Sequence, residues 1–531
     1  MAHYATGLIY RSQDQVAAAI QEWEKAALLD PSRKDLRDVA IQQYFHRGEF
    51  QKAAALLEQA TRHEPNSFLA WFLLAYAYRS DKQWERAEES AEKAIEIEPD
   101  RLPAYELLFE IGYERGDYKM SRKVLDRTMR QESADAQYWL RVADLHQLLA
   151  AKAPASALGK EQISALYERA GALQPDDPAV LARIADFHET SGNPRKSLEI
   201  YEQILKQAPD ADHIRIKIAG THVLLDEKKQ AIGILEEVAM REPRRFPQIF
   251  MVIGDLYDEL KDDERALANY RSSLKANPDQ LPPYLRIVLL EMRNKRTSEA
   301  LKQLSVARDR FPTASSVSFF YGLAYSDAKE YNRAVESFEE AQRMAVTSSP
   351  EMLDGVFYFY YGAALERNGQ FDKAVEQFNK ALEMNPDYAD ACNYLGYMYA
   401  DKNIHIEEAA TLVERALAFE PDNGAFLDSM GWILFRQGRF PEALLVLQRA
   451  AELIGNDAVI FDHLGDVHAK LGNPAEALAN YKKSAEIDPK NSEVSRKLED
   501  LQHSPSSVPG LERSIEREPR PTRKRRPTPS E

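Results

Sequence analysis

Cysteine is nearly missing from the 531 residues: Cys392 stands alone. A single thiol excludes an internal disulfide framework and a multi-cysteine zinc site. No apolar run approaches the roughly 18 residues that cross a bilayer. The opening residues MAHYATGLIYRSQDQ lack the charged leader and apolar core of a secretory signal. That reads as cytoplasmic, or as periplasmic or envelope-associated if a leader is missing upstream. Positive charge is in deficit, 69 Lys and Arg against 85 Asp and Glu for a formal net of −16, which argues against nucleic acid as a partner. The sequence also has no Gly-rich phosphate loop with its Lys, no HExxH helix and no GxSxG elbow. With 44% hydrophobic and 29% charged residues it is nonetheless a folding composition.

What is present is a period. Prolines that follow helical stretches recur at Pro31, Pro65, Pro99, Pro175, Pro209, Pro243, Pro278, Pro312, Pro386, Pro421 and Pro489. Their separations are 34, 34, 76, 34, 34, 35, 34, 74, 35 and 68 residues, single or double steps of 34 with small insertions. One pattern returns inside each step, clearest in Trp71, Leu74, Ala75, Tyr78, Ala87, Ala94 and Pro99. Apolar residues at spacings of 3, 4 and 7 give each helix one buried stripe. Gly48, Gly116, Gly192, Gly369, Gly438 and Gly472 mark the turns between helices. Small residues such as Gly254, Gly322, Gly362, Gly431 and Gly465 let paired helices approach closely. One pair cannot bury its own apolar face, so neighbours must stack in a linear array.

On these residues the chain resembles the tetratricopeptide repeat family over residues 1–490, with fourteen repeats starting near 1, 34, 68, 102, 136, 178, 212, 247, 281, 315, 355, 389, 424 and 458. The segments NYLGYMYA, DNGAFLDSMGWILFRQGRF and FDHLGDVHAKLG look similar to bacterial multi-repeat members. The resemblance implies an all-α, right-handed superhelical solenoid in which the first helix of each pair lines a concave groove. Residues 491–503 put Val494, Leu498 and Leu501 on one face, as a capping helix would. Residues 504–531 are rich in Pro and Ser and carry seven basic against four acidic residues. They read as a disordered tail, leaving a net −19 on the rest. Extra residues at 150–160 and 349–354 lengthen two connections, so subdivisions are expected near 133–160 and 346–355. The fourth repeat has Ser133 for its proline and Thr128 for a small Ala, and is expected to be the weakest junction.

The stretch DGVFYFYYGAALERNG sets five aromatic residues in a row, Phe357 to Tyr361, which on a helix circle the axis and cannot share one core. The repeat register assigns Tyr358 and Tyr361 to packing, Phe357 and Tyr360 to neighbouring helices, and Phe359 to the groove. The resemblance places the fifth, ninth and twelfth positions of each repeat in that groove. These project as Leu285, Leu289, Met292, Phe319, Leu323, Phe359 and Ala363, then Asn393, Tyr397, Asp428, Trp432 and Phe435. Phe72 and Tyr76 form a secondary patch, while Asp186, Asp255, Asp258, Asp462 and Asp466 give acidic ones.

No repeat has the Lys or Arg at the fifth and Asn at the ninth position with which some relatives clamp a C-terminal carboxylate. Residues such as Leu73, Lys217, Phe320, Tyr360 and Tyr394 replace the sixth-position asparagine ladder of others. His146, His188, His222 and His468 recur at a packing position otherwise held by Tyr78, Tyr257, Tyr325 and Tyr399. Cys392 falls on a core position, and neither a catalytic residue, a metal site nor a cofactor is expected. The basic run Arg523, Lys524, Arg525 and Arg526 is either a solubilising tail or a contact for acidic partners. The expected function is a non-enzymatic scaffold or adaptor binding a peptide or helix of another protein. The alternative is a structural assembly subunit, in a bacterial envelope-associated complex, that self-associates through the same apolar track.

Overall fold

The computed structural model describes residues 2–30, 33–241 and 245–503, and the predicted tail with Arg523, Lys524, Arg525 and Arg526 lies outside them. Among the described residues there are 29 α-helices, two short 3-10 turns and no strand. The helices pack as consecutive pairs, fourteen pairs and one further helix, Ser492–His503. The described residues form two compact units that divide after Arg241, with seven pairs in the first and seven plus the last helix in the second. None of the helices is long and apolar enough to cross a membrane.

The two lengthened connections fall inside a unit. Each extra stretch extends a helix, Ala136–Lys152 or Tyr331–Ser348, and adds one turn, Pro154–Ser156 or Pro350–Met352. Ala153, Met352 and Leu353 then pack against the adjoining cores, which absorbs the insertions without opening the stack. At the fourth repeat the second helix, Tyr118–Thr128, is short. The following helix reaches back to it: the Tyr138 hydroxyl donates to the Thr128 carbonyl at 3.0 Å and the Trp139 indole N–H to the Ser133 carbonyl at 3.1 Å.

Every turn between paired helices, apart from the fifth, contains a left-handed residue at the same place, and the twelfth has a second, His405. Six are the glycines that mark the period, Gly48, Gly116, Gly192, Gly369, Gly438 and Gly472. The other seven are Asp14, Lys82, Asp226, Lys261, Lys295, Lys329 and Asn403. A Cβ makes that conformation unfavourable, so these turns are held by the packing of the helices they join. The helices meet where a small residue of the first faces a bulky one 16 positions on. Gly322 lies under the Phe338 ring, and a Cβ there would stand 2.7 Å from Cε1 and Cζ. Gly254 meets Tyr270 and Gly362 meets Phe378 in the same way. Phe338, Tyr270 and Phe378 are completely buried as a result.

The last helix caps its unit with Val494 buried and Leu498 and Leu501 packed beside Tyr481. Its charges are not all turned to solvent: the Lys497 ammonium is buried between two carboxylates.

Two substitutions separate these constraints. Gly322→Ala is expected to lower stability by about 1–3 kcal/mol, because neither the added methyl nor the buried ring has room to move. Lys261→Gly is expected to raise it by up to about 1 kcal/mol by relieving a left-handed turn. Urea unfolding followed by circular dichroism measures both, and equal effects of one sign would contradict the assignment.

Candidate functional site

The five aromatic residues divide as their helix, Gly355–Arg367, dictates. Phe357, Tyr358 and Tyr361 are buried. Phe357 sits against Phe319, Phe338, Tyr358 and Tyr361 at centroid distances of 5.4–6.2 Å. Phe359 and Tyr360 are half-buried. Phe359 contacts Tyr360, Phe378, Tyr388 and Tyr394, so it is seated on four rings. Tyr360 touches Phe319 at 6.2 Å, and burial pushes its hydroxyl up to about 12. A continuous aromatic run therefore crosses three successive first helices, from Phe319 through Tyr360 and Phe359 to Tyr394.

The other residues projected onto this face belong to the same unit and are half-exposed in most cases: Leu285, Leu289, Met292, Leu323, Ala363, Asn393, Tyr397 and Phe435. Leu285 and Leu289 are partly buried, and Phe319, Leu323, Phe359, Ala363, Tyr397 and Phe435 form the outer skin of one hydrophobic cluster. Phe72 and Tyr76 are in the other unit. Phe72 is half-buried on Phe68, and Tyr76, 41% exposed, packs edge-on against Phe45.

Two expectations need correcting. Trp432 and Asp428 are buried, Trp432 at 1% exposure and Asp428 at 8%, and neither is open to a partner. The Trp432 ring is stacked between Phe435 at 4.9 Å and His463 at 4.2 Å, with the Arg436 guanidinium over it. Asp428 Oδ1 holds His463 Nδ1 at 2.8 Å. Here the next first helix, Ala458–Lys470, closes over the preceding one. The acidic patches are also not bare. Asp186 meets Lys217 at 2.9 Å and Asp255 meets Arg286 at 3.1 Å. Asp258 meets Arg293 at 2.5 Å, while Asp462 and Asp466 share Lys497 at 2.6 and 2.7 Å.

These pairs form a ladder in which a charge on one first helix meets its opposite on the next, 31 or 35 residues along. Arg79 with Glu110 and Glu114, and Glu106 with Arg141, extend it through the first unit. The sequence reading missed the ladder because it projected each helix alone. Opposite charges recurring at one repeat length, or one repeat less a turn, were the available signal.

The histidines are not arranged for chemistry. His146 and His188 are buried, and no ring nitrogen of either has a hydrogen-bond partner. His222 Nδ1 meets Glu227, and His468 lies beside Asn473. Cys392 is buried with its Sγ 3.9 Å from the Pro386 carbonyl, and burial pushes its thiol up. That disfavours the reactive thiolate. Among the described residues no group of three His, Cys, Asp or Glu could hold a metal ion.

Comparison with known proteins bears on the repeats rather than on this face. Family models described as tetratricopeptide repeat match residues 41–101, 206–405, 403–458 and 458–491. A TPR repeat-containing protein of Pseudomonas aeruginosa is 31% identical over 214 residues, 40% of this chain and 35% of that one. A Drosophila melanogaster homolog of a BBSome complex member is 20% identical over 303 residues, 56% of this chain and 62% of that one. The chain thus spans less than two thirds of either relative. A crystal structure of the APC/C hetero-tetramer Cut9-Hcn1 aligns over 93% of this chain and 94% of that one, at 15% identity and a TM-score of 0.42.

Two buried polar groups give measurable consequences. Burial holds the His146 imidazolium back to a value of about 4. The unfolded chain then takes up the proton first as pH falls, so stability is full above about 6.5 and declines by about 2–3 kcal/mol toward pH 4. His146→Leu is expected to flatten that slope in urea titrations across the window. Lys497→Met leaves Asp462 and Asp466 buried without their cation and is expected to cost about 3–5 kcal/mol. Calorimetry showing an unchanged melting temperature would contradict the buried pairing.

Proposed function

We propose, from the premise that this chain belongs to the tetratricopeptide repeat family, that it is a non-catalytic scaffold or adaptor. On this reading it holds a peptide or helix of another protein along the first-helix face of residues 282–435. The observation that supports it is the aromatic run from Phe319 to Tyr394, with the half-exposed Leu285, Leu289 and Met292 on the helix before it. Several other first helices present charges already matched to each other, whereas this stretch offers a contiguous, partly open aromatic and aliphatic track.

A preformed face of this kind requires little ordering on capture, and each anchor it buries fully contributes about 1.5–3 kcal/mol before ordering costs. Rings already half-buried in the fold contribute less. Recognition therefore rests on several shallow contacts along the track. The competing occupant is a second copy of the chain, which would make the protein a self-assembling subunit.

Leu285→Gln with Leu289→Gln tests the reading, since both leucines keep part of their surface open, and the melting temperature of the variant is measured alongside. Cross-linked capture of a protein from the native extract, lost in this variant while light scattering reads a monomer at all concentrations, is the expected result. A mass that rises with concentration in the wild type and not in the variant would favour self-assembly. Capture and mass both unaffected by the substitutions would remove this face from the function.

A further inference from the structure

The first-helix ladder has one rung of like charge. Arg79 and Glu114 meet at 2.5 Å, as do Asp258 and Arg293. In both, the first partner stands three residues before the left-handed turn residue of its repeat, Lys82 or Lys261. The second stands two before that of the next, Gly116 or Lys295. Glu366 and Asp401 occupy these two places ahead of Gly369 and Asn403. Where the register at those two rungs joins acid to base, here it brings two carboxylates toward each other. Burial raises the Glu366 carboxyl, and the Asp401 charge adds to that.

The surroundings are rich in acceptors and border the apolar track. The Tyr394 hydroxyl donates to Glu366 Oε2 at 3.0 Å, and Arg367, next in the chain, lies 3.4 Å from the same oxygen. Arg436 Nη2 donates to the Asp401 main-chain carbonyl at 3.0 Å. Asp401 Oδ1 is buried and accepts from no protein donor, and neither does Asn393 Oδ1 on the same stripe of the helix Ala389–Lys402. Phe359 and Tyr397 adjoin this stripe as half-buried apolar surface.

Resting on the scaffold reading above, we infer that the protein segment held on this face presents a lysine or arginine side chain to Glu366 and Asp401, flanked by apolar residues that cover Phe359 and Tyr397. The bound cation supplies the opposite charge that the chain itself provides at the rungs Arg79–Glu114 and Asp258–Arg293. An apolar group at this point would cover unsatisfied acceptors, and an acidic one would be repelled, so the site discriminates by charge while the track supplies area.

Selection of random 12-residue peptides against the full chain tests this, followed by fluorescence anisotropy with the best peptide and its copy carrying Gln for each Lys or Arg. Enrichment of a basic residue among apolar ones is expected, with the Gln copy about tenfold or more weaker on the wild type. That difference should vanish on Glu366→Gln with Asp401→Asn, and on Asp401→Asn alone should shrink, while Phe359→Ala weakens both peptides. Apolar peptides with no basic preference, or a preference that survives the carboxylate substitutions, would overturn the inference and leave the scaffold reading standing. Peptides indifferent to Phe359→Ala would overturn the scaffold reading itself. A synthetic peptide of residues 504–531 that displaces the selected one, in a manner dependent on Glu366 and Asp401, would make the chain's own tail the source of the cation and overturn a separate partner.

Discussion

The approach of two helices across a single small residue is the contact from which the rest follows. Gly322 beneath Phe338, and its counterparts at Gly254 and Gly362, allow a first helix to sit on its second at a spacing that one methyl group would spoil. That spacing fixes the rotation of each helix about its own axis. Rotation then decides which side chains are enclosed and which lie along the first-helix face, so the aromatic run and the charge ladder are both consequences of how closely the pairs are packed.

The ladder explains how an acidic chain keeps its repeats together. With 85 acidic residues against 69 basic ones, stacked helices would repel one another if their charges were placed without regard to the neighbour. Matching them at 31 and 35 residues makes several first helices the counter-charge of the next. Exposed members such as Asp186 with Lys217 contribute little stability individually and serve to hold register. The enclosed members, Asp428 with His463 and Lys497 with Asp462 and Asp466, are different: removing one partner leaves the other a buried polar or charged group without its counterpart.

Much of this was legible in the sequence, and the division is instructive. Period, helix pairing, the six glycine turns, the packing histidines and the roles of Tyr358 and Tyr361 all follow from patterns within one repeat. Trp432 and Asp428 were misplaced because position within a repeat predicts which way a side chain leaves its helix but not what the next helix does above it. His463 closes over both, and it lies 35 residues from Asp428. The seven turns without glycine were hidden for a related reason: Lys82, Lys261, Lys295 and Lys329 announce no turn, and tertiary packing imposes the left-handed backbone that glycine adopts freely. Glu366 and Asp401 are unremarkable as single residues and become informative when aligned with the other rungs.

The non-glycine turns are also unevenly distributed along the chain. Asp226, Lys261, Lys295 and Lys329 serve four successive repeats, whereas Gly369, Gly438 and Gly472 serve three of the last four. Each left-handed side-chain-bearing residue holds on the order of 1 kcal/mol of local strain. In an array whose stability is a sum of neighbour terms, such strain weakens the repeats that carry it. Within the second unit, transient openings should therefore nucleate between residues 261 and 329 and stop short of the glycine-turned repeats. Within the second unit the rings from Phe359 onward would thus ride on the part that yields last.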